Sequence, residues 1–286
     1  MEWRGRRGSN NMEDRRRSGP SRGGVVGGGG IGLVVVALIV WALGGDPMAV
    51  LQQGGGVGQI QSGQGVEITP ADEQAAEFVS VTLADTEEVW AKIFQEQVGR
   101  AYTPATLVLY KGVTQSACGN ASGATGPFYC PVDKKVYLDT DFFTTMATQM
   151  GAKGDFAAAY VVAHEIGHYV QDELGILAET TRIRQQSSEA DSNEISVRVE
   201  LQADCLSGIW ARSASEMFGS IDQGDIQEAV NAAEQIGDDT LQGNAGRRPM
   251  PDSFTHGTSE QRARWLVTGM ESGNLADCDT FATDRL

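Results

Sequence analysis

The stretch VVAHEIGHYVQDELG, residues 161–175, holds two of the chain's three histidines, His164 and His168, four apart with Glu165 between them. On an α-helix, residues four apart stand one turn above the other on one face, so both rings can aim a nitrogen at one ion. Glu165 projects beside them and can reach water held by that ion. Two zinc ligands and a general base are the chemistry that H-E-x-x-H spacing serves. A catalytic zinc needs a third protein ligand and one open coordination position. The rest of the chain must supply that ligand.

Downstream, VRVELQADC places Glu200 and Asp204 four apart, again on one helical face. Glu200 can complete a His2Glu set. Asp204 can accept the free ring N–H of a ligand histidine and fix its tautomer. Taken alone, such a pair belongs on a solvated helix face, where most acidic pairs lie. Beside an H-E-x-x-H helix, the ligand reading is preferred. Asp191 and Glu194 are nearer alternatives, but both fall at a helix start, where acids serve the helix dipole. Glu200 lies among Val197, Val199, Leu201 and Leu206, so its face is expected to be half buried. The third histidine, His256 in DSFTHGTSEQRARW, precedes the last helix, and Arg262 falls in that helix's first turn. Either they are a loop histidine and a surface ion-pair partner, or one or both bind substrate and stabilise an oxyanion.

These residues need helices to carry them. Thr69-Pro70-Ala71-Asp72 is a helix start, and the helix is expected to run to about Val98. TLVLYKG (106–112) and KKVYLD (134–139) have strand composition, with a Gly-rich loop between them. A short helix is expected near 140–150. A long helix carrying the histidines should be capped by Asp155 and end before Gly175. Residues 179–193 read as loop or broken helix. A second long helix runs from about Asn193 to Phe218 and carries Glu200. A shorter one spans 222–236, residues 238–255 read as loop, and Thr258-Ser259-Glu260-Gln261 is a capping box for a final helix to about Met270. The expected fold class is mainly α with a small β-sheet (α+β).

HEIGH followed by ELQAD is similar to the gluzincin pattern, H-E-x-x-H followed by E-x-x-x-D. ACGNASGATGPFYCP, VYLD, HEIGHYVQ, VELQADC, GIWA and THGTSEQR together resemble the bacterial neutral zinc metallopeptidase family over essentially the whole chain. The resemblance implies a zincin-like domain with one zinc, His164, His168 and Glu200 as ligands, Glu165 as base and Asp204 behind a ligand histidine. Tyr169 departs from the family, which often has another histidine there; this leaves the ligand set untouched. The resemblance also implies a basic cytoplasmic tail and one membrane span. In such folds an edge strand above the cleft can pair with an extended polypeptide substrate. PFYCPVDKKVYLD, with Tyr137 and Leu138, is the candidate.

Charge and hydropathy divide the chain. Residues 1–24 carry seven arginines against three acids, a net +4, which leaves −20 on the remainder of a chain whose total is −16. A domain so acidic is a poor partner for nucleic acid. Residues 25–43, VVGGGGIGLVVVALIVWAL, contain no charge. At about 1.5 Å per residue they can just cross a bilayer core of roughly 30 Å. The expected organisation is a basic cytoplasmic tail (1–24), a transmembrane helix (25–43), a Gly/Gln-rich linker (44–68) and a metallopeptidase-like domain (69–286). Arginines before the span place the N-terminus in the cytoplasm and the domain outside, at a bacterial inner membrane. Four cysteines in an exported domain suggest two disulfides with three possible pairings. Short-loop closure favours Cys118–Cys130, leaving Cys205–Cys278.

The function expected is a membrane-anchored zinc endopeptidase acting on polypeptide outside the cytoplasm. The alternative is an envelope quality-control or assembly factor that binds unfolded polypeptide with a weak or inactive centre. A purely structural zinc fits less well, because closed structural sites use four protein ligands and have no use for Glu165.

Overall fold

A computed structural model describes residues 1–17, 67–122 and 125–286. The apolar segment 25–43 and nearly all of the linker lie outside the described residues. Among the described residues, no helix is long and apolar enough to cross a membrane. The domain is mainly helical, with a small mixed sheet of order β1-β2-β6-β5. These strands are β1 (Met12–Asp14), β2 (Thr106–Tyr110), β5 (Phe128–Cys130) and β6 (Lys135–Asp139), while β3 (Val113–Ser116) and β4 (Gly119–Ser122) form a separate hairpin. β1 and β6 both run parallel to β2, and β5 is antiparallel to β6. The Cys118–Cys130 bridge ties the region of this hairpin to β5, with Cα atoms 5.8 Å apart.

The first helix, α1 (Pro70–Ile93), starts on a Thr69–Asp72 capping box with proline in its first turn, then closes as a π-helical turn through Val98. Reciprocal caps of this kind satisfy amide donors that the helix itself leaves unpaired. After α2 (Thr140–Thr148) comes α3 (Asp155–Glu173), which is buried on nearly every side. Its N-cap is Gly154, not Asp155 as the sequence suggests. The Asp155 carboxylate is engaged elsewhere, accepting from the Trp3 indole.

Residues 179–193 are more helical than expected. Helix α4 (Ile176–Arg184) covers the first part, and α5 (Glu189–Phe218) begins on a Ser188 cap, five residues before Asn193. The chain then forms α6 (Gln223–Gln235), a short α7 (Asp238–Asn244) inside the expected loop, and α8 (Ser259–Ser272) behind the Thr258–Gln261 capping box. Helices α5 and α8 meet at backbone contact: a Cβ on Gly269 would lie 1.9 Å from the Cys205 carbonyl, and one on Gly208 2.1 Å from that of Leu266. The second bridge, Cys205–Cys278, pins the C-terminal segment to α5.

Residues 1–17 do not stand apart as a basic tail. Met12 pairs with Leu107 and Asp14 with Leu109 in the sheet. Trp3 is buried and packs edge-on against Phe78 of α1. Arg6, Arg7, Arg16 and Arg17 are paired with carboxylates of α1. Arg6 grips Asp85 with two bonds of 2.7 Å. The buried Arg16 reaches Asp14, Glu73 and the Asp72 carbonyl. A buried guanidinium requires partners, and α1 supplies the carboxylates. Residues 1–17 thus pack against the sheet and α1.

Candidate metal centre

Helix α3 presents His164, Glu165 and His168, and α5 presents Glu200 and Asp204. The helices approach closely because residue 167 is glycine. A Cβ there would sit 3.1 Å from the Ala203 carbonyl and 3.4 Å from its Cα, tighter than a side chain ordinarily tolerates. Gly167 thus sets the spacing between the histidines and Glu200. His164 Nε2 is 3.1 Å from one Glu200 oxygen and His168 Nε2 3.5 Å from the other. One donor atom from each of the three residues lies within 4.8 Å of the others. Among the described residues no fourth donor joins this group.

The other face of His164 is fixed by Asp204, whose Oδ1 is 2.9 Å from Nδ1. A carboxylate only accepts, so Nδ1 of His164 carries a proton toward Asp204, and Nε2, which faces Glu200, is the atom left to share a cation with it. Donor atoms of His164, His168 and Glu200 converge on one small volume of negative potential, which a proton or a metal cation can occupy. The electrostatics agree. Burial opposes a charge on His164, yet Asp204 and Glu200 outweigh it and raise its pKa to about 10. Burial also opposes charge on Glu200, but His168, His256 and His164 hold its carboxyl well below the usual range. The donor set fits zinc.

Glu165 is buried beside this volume, at 8% exposure. Its pKa is raised by burial, against the pull of His168 and His164. The backbone of Tyr129 in β5 pulls weakly the other way. Glu165 is therefore a buried carboxyl held above the usual carboxylate range, which suits proton transfer.

Arg262 lies neither on the surface nor at the mouth of the site. It is 2% exposed, and its Nε and Nη2 each donate to Asp204 at 2.9 Å. Tyr160 Oη adds a third donor to Asp204 at 2.5 Å. A helix N-terminus disfavours a cation, but the buried Asp204 charge compensates it. Burial and these partners remove Arg262 from any contact with substrate.

Tyr137 is likewise displaced from the role expected for it. β6 is an interior strand, Tyr137 is 1% exposed, and its hydroxyl donates to Asp133 while its ring stacks on Phe128. Among the described residues the sheet ends instead at β5, Phe128–Cys130, whose Tyr129 and Cys130 are buried.

His256 is half exposed and, with no contact to the three donors, lies near enough to Glu200 for their charges to interact. Partial desolvation opposes a charge on it, while Glu200 and Asp238 raise its pKa. The Asp238 carboxylate organises the whole turn, accepting from the backbone N–H groups of Thr255, His256 and Gly257 and lying 3.3 Å from His256 Nδ1. Asp238 escapes a reading that treats 238–255 as loop. Tyr160 had a visible signal, since it precedes His164 by four residues on the same helical face.

The family described as "Putative neutral zinc metallopeptidase" matches residues 1–281. The uncharacterized protein YpfJ of Escherichia coli K12 is 46% identical over 288 residues, covering 98% of this chain and 99% of that protein. The uncharacterized proteins Rv2575 of Mycobacterium tuberculosis H37Rv and Mb2605 of Mycobacterium bovis are each 42% identical over 195 residues, 65% of either chain. No solved structure matches.

Proposed function

Because the chain belongs to the neutral zinc metallopeptidase family, we propose that it is a zinc-dependent endopeptidase with His164, His168 and Glu200 as ligands and Glu165 as general base. The observation carrying this reading is the convergence of three metal-binding donors beside a buried, raised-pKa carboxyl. Zinc, when bound there, supplies Lewis acidity, acidifying water and polarising a peptide carbonyl. Glu165 takes the proton of the attacking water and passes it to the leaving amine. His256, aimed by Asp238, donates toward the oxyanion. The β5 end of the sheet aligns an extended polypeptide across the centre by strand addition. The two disulfides support action in an oxidising compartment outside the cytoplasm.

Glu165→Gln in the full chain tests the reading. Zinc content should stay near one equivalent, while cleavage of unfolded polypeptide should fall by at least about 10²-fold. Undiminished cleavage would remove Glu165 from its role. Zinc binding without cleavage by the unmutated protein, across a broad peptide library, would favour a factor that binds unfolded polypeptide.

A further inference from the structure

His168 lacks the carboxylate partner that His164 has. Its Nδ1 lies 2.8 Å from Gln171 Oε1. A neutral amide can face a ring nitrogen with either its oxygen or its nitrogen, so this contact alone leaves the ring's proton unassigned. The neighbours of Gln171 settle it. Its amide nitrogen donates to the Val199 carbonyl at 2.8 Å and to Gln202 Oε1 at 2.9 Å. Gln202 in turn donates from its own amide nitrogen to the Cys278 carbonyl at 3.0 Å. Both ends of this chain are backbone carbonyls, which only accept. Reversing either amide would set oxygen against oxygen inside a buried network, where an unmade bond costs most. Gln171 is 0% and Gln202 6% exposed, so water offers no alternative partner. The Cys205–Cys278 bridge anchors the far carbonyl to α5, the same helix that carries Gln202 and Glu200.

We propose that Gln171 and Gln202 are positioning residues for the metal centre. Together they relay the direction of two backbone carbonyls to His168, place its proton on Nδ1 and leave the Nε2 lone pair facing Glu200. The two histidines are then held in one tautomer by different means: His164 by a charge, His168 by a neutral relay ending at a disulfide-anchored carbonyl. The inference rests on the zinc-centre reading above.

The test uses full-length protein, with zinc affinity measured by competition with a chromogenic chelator and the His168 tautomer read by nitrogen-15 NMR of the metal-free protein. Gln171→Leu should weaken zinc by roughly 10- to 100-fold. Gln171→Glu keeps an acceptor for the ring N–H but sets oxygen against the Val199 carbonyl and Gln202 Oε1, so it should recover only part of that loss and lower the melting temperature. Gln202→Met does not touch the histidine, yet it should weaken zinc measurably and give His168 a mixed tautomer signal. Thermal unfolding selects the variants that fold. Folded Gln171→Leu and Gln202→Met proteins with unchanged zinc affinity and a pure Nδ1–H signal would overturn the proposal. Absence of zinc binding by the unmutated protein would instead overturn the metal-centre reading on which it rests.

Discussion

Arg262→Leu should be among the most damaging single changes in this chain, although the side chain touches neither metal donor nor cleft. Asp204 is 0% exposed and takes both Arg262 bonds at 2.9 Å, alongside Tyr160 and His164. Removing the guanidinium leaves a buried carboxylate without its main counter-charge, a change that costs about 3–5 kcal/mol. For a domain of this size, each kcal/mol moves the melting temperature by about 2–4 °C, so a fall of about 6–20 °C is expected. Arg262→Lys keeps the charge but loses the two-pronged geometry, and should fall between the two. The assay is thermal unfolding by circular dichroism at neutral pH for both single variants, Asp204→Asn, and the double variant Asp204→Asn with Arg262→Leu. Because the double variant removes both charges, its loss should be smaller than the sum of the singles by at least about 1.5 kcal/mol. A melting temperature for Arg262→Leu within about 2 °C of the unmutated protein, or strict additivity in the cycle, would refute the buried-pair account.

Other expectations concern packing, pH and the cleft. Gly269→Ala forces a methyl to within 1.9 Å of the Cys205 carbonyl and should cost upwards of about 1–3 kcal/mol in urea unfolding. Gly243→Ala, where nothing lies within 4 Å, should cost nothing measurable. Burial opposes a charge on Asp72, but Lys111, Thr69 and Thr140 outweigh it and hold its pKa far below the usual carboxylate range. A depressed folded pKa contributes stability above the unfolded value of about 4 and loses it as pH falls. Asp72→Asn should therefore be less stable than the unmutated protein at pH 7, and the gap should begin to narrow below about pH 4 and keep narrowing as pH falls toward the depressed folded value. Asp238→Ala releases three backbone N–H groups and the His256 ring, and should lower kcat by up to about 10²-fold while zinc content is unchanged. An unaltered kcat would place His256 outside the reaction.

The placement of the histidines could be read from sequence because helical periodicity fixes which neighbours share a face. The same rule brought Glu200 and Asp204 forward as a pair, and both lie at the centre. Gly167 and Tyr160 obey that rule too, but their meaning depends on a second helix whose approach no local pattern states. Arg262 and Asp238 were harder. Arg262 is 58 residues from its partner Asp204, and a cation in a first turn looks misplaced until the buried carboxylate is seen. Asp238 acts through backbone amides, which carry no residue-type signature. Tyr137 has the strand character expected of it, but position within a sheet depends on pairing order, and β5 took the edge. The largest departure is residues 1–17. Their arginines resemble a solvated tail in composition, because the matching carboxylates, Asp85, Glu73 and Glu88, arrive from another segment.

The pairing of β1 with β2 also bears on which compartments the chain can occupy. Hydrogen bonds of one sheet cannot pass through a lipid layer, since an unpaired amide in hydrocarbon costs several kcal/mol. Arg17 reaches Glu73 at 3.0 Å, so residues 17 and 73 are joined at one point of the surface. An N-terminus held in the cytoplasm by a single crossing at 25–43 would strip β1 from the sheet and leave Asp85 without its guanidinium. Pairing of β1 with β2 and a single crossing between them therefore exclude one another. Arg6, Arg7, Arg16 and Arg17, positive charges of the kind that ordinarily signals a cytoplasmic flank, serve in the folded protein as counter-charges to Asp85, Glu87, Glu88 and Glu73 of α1.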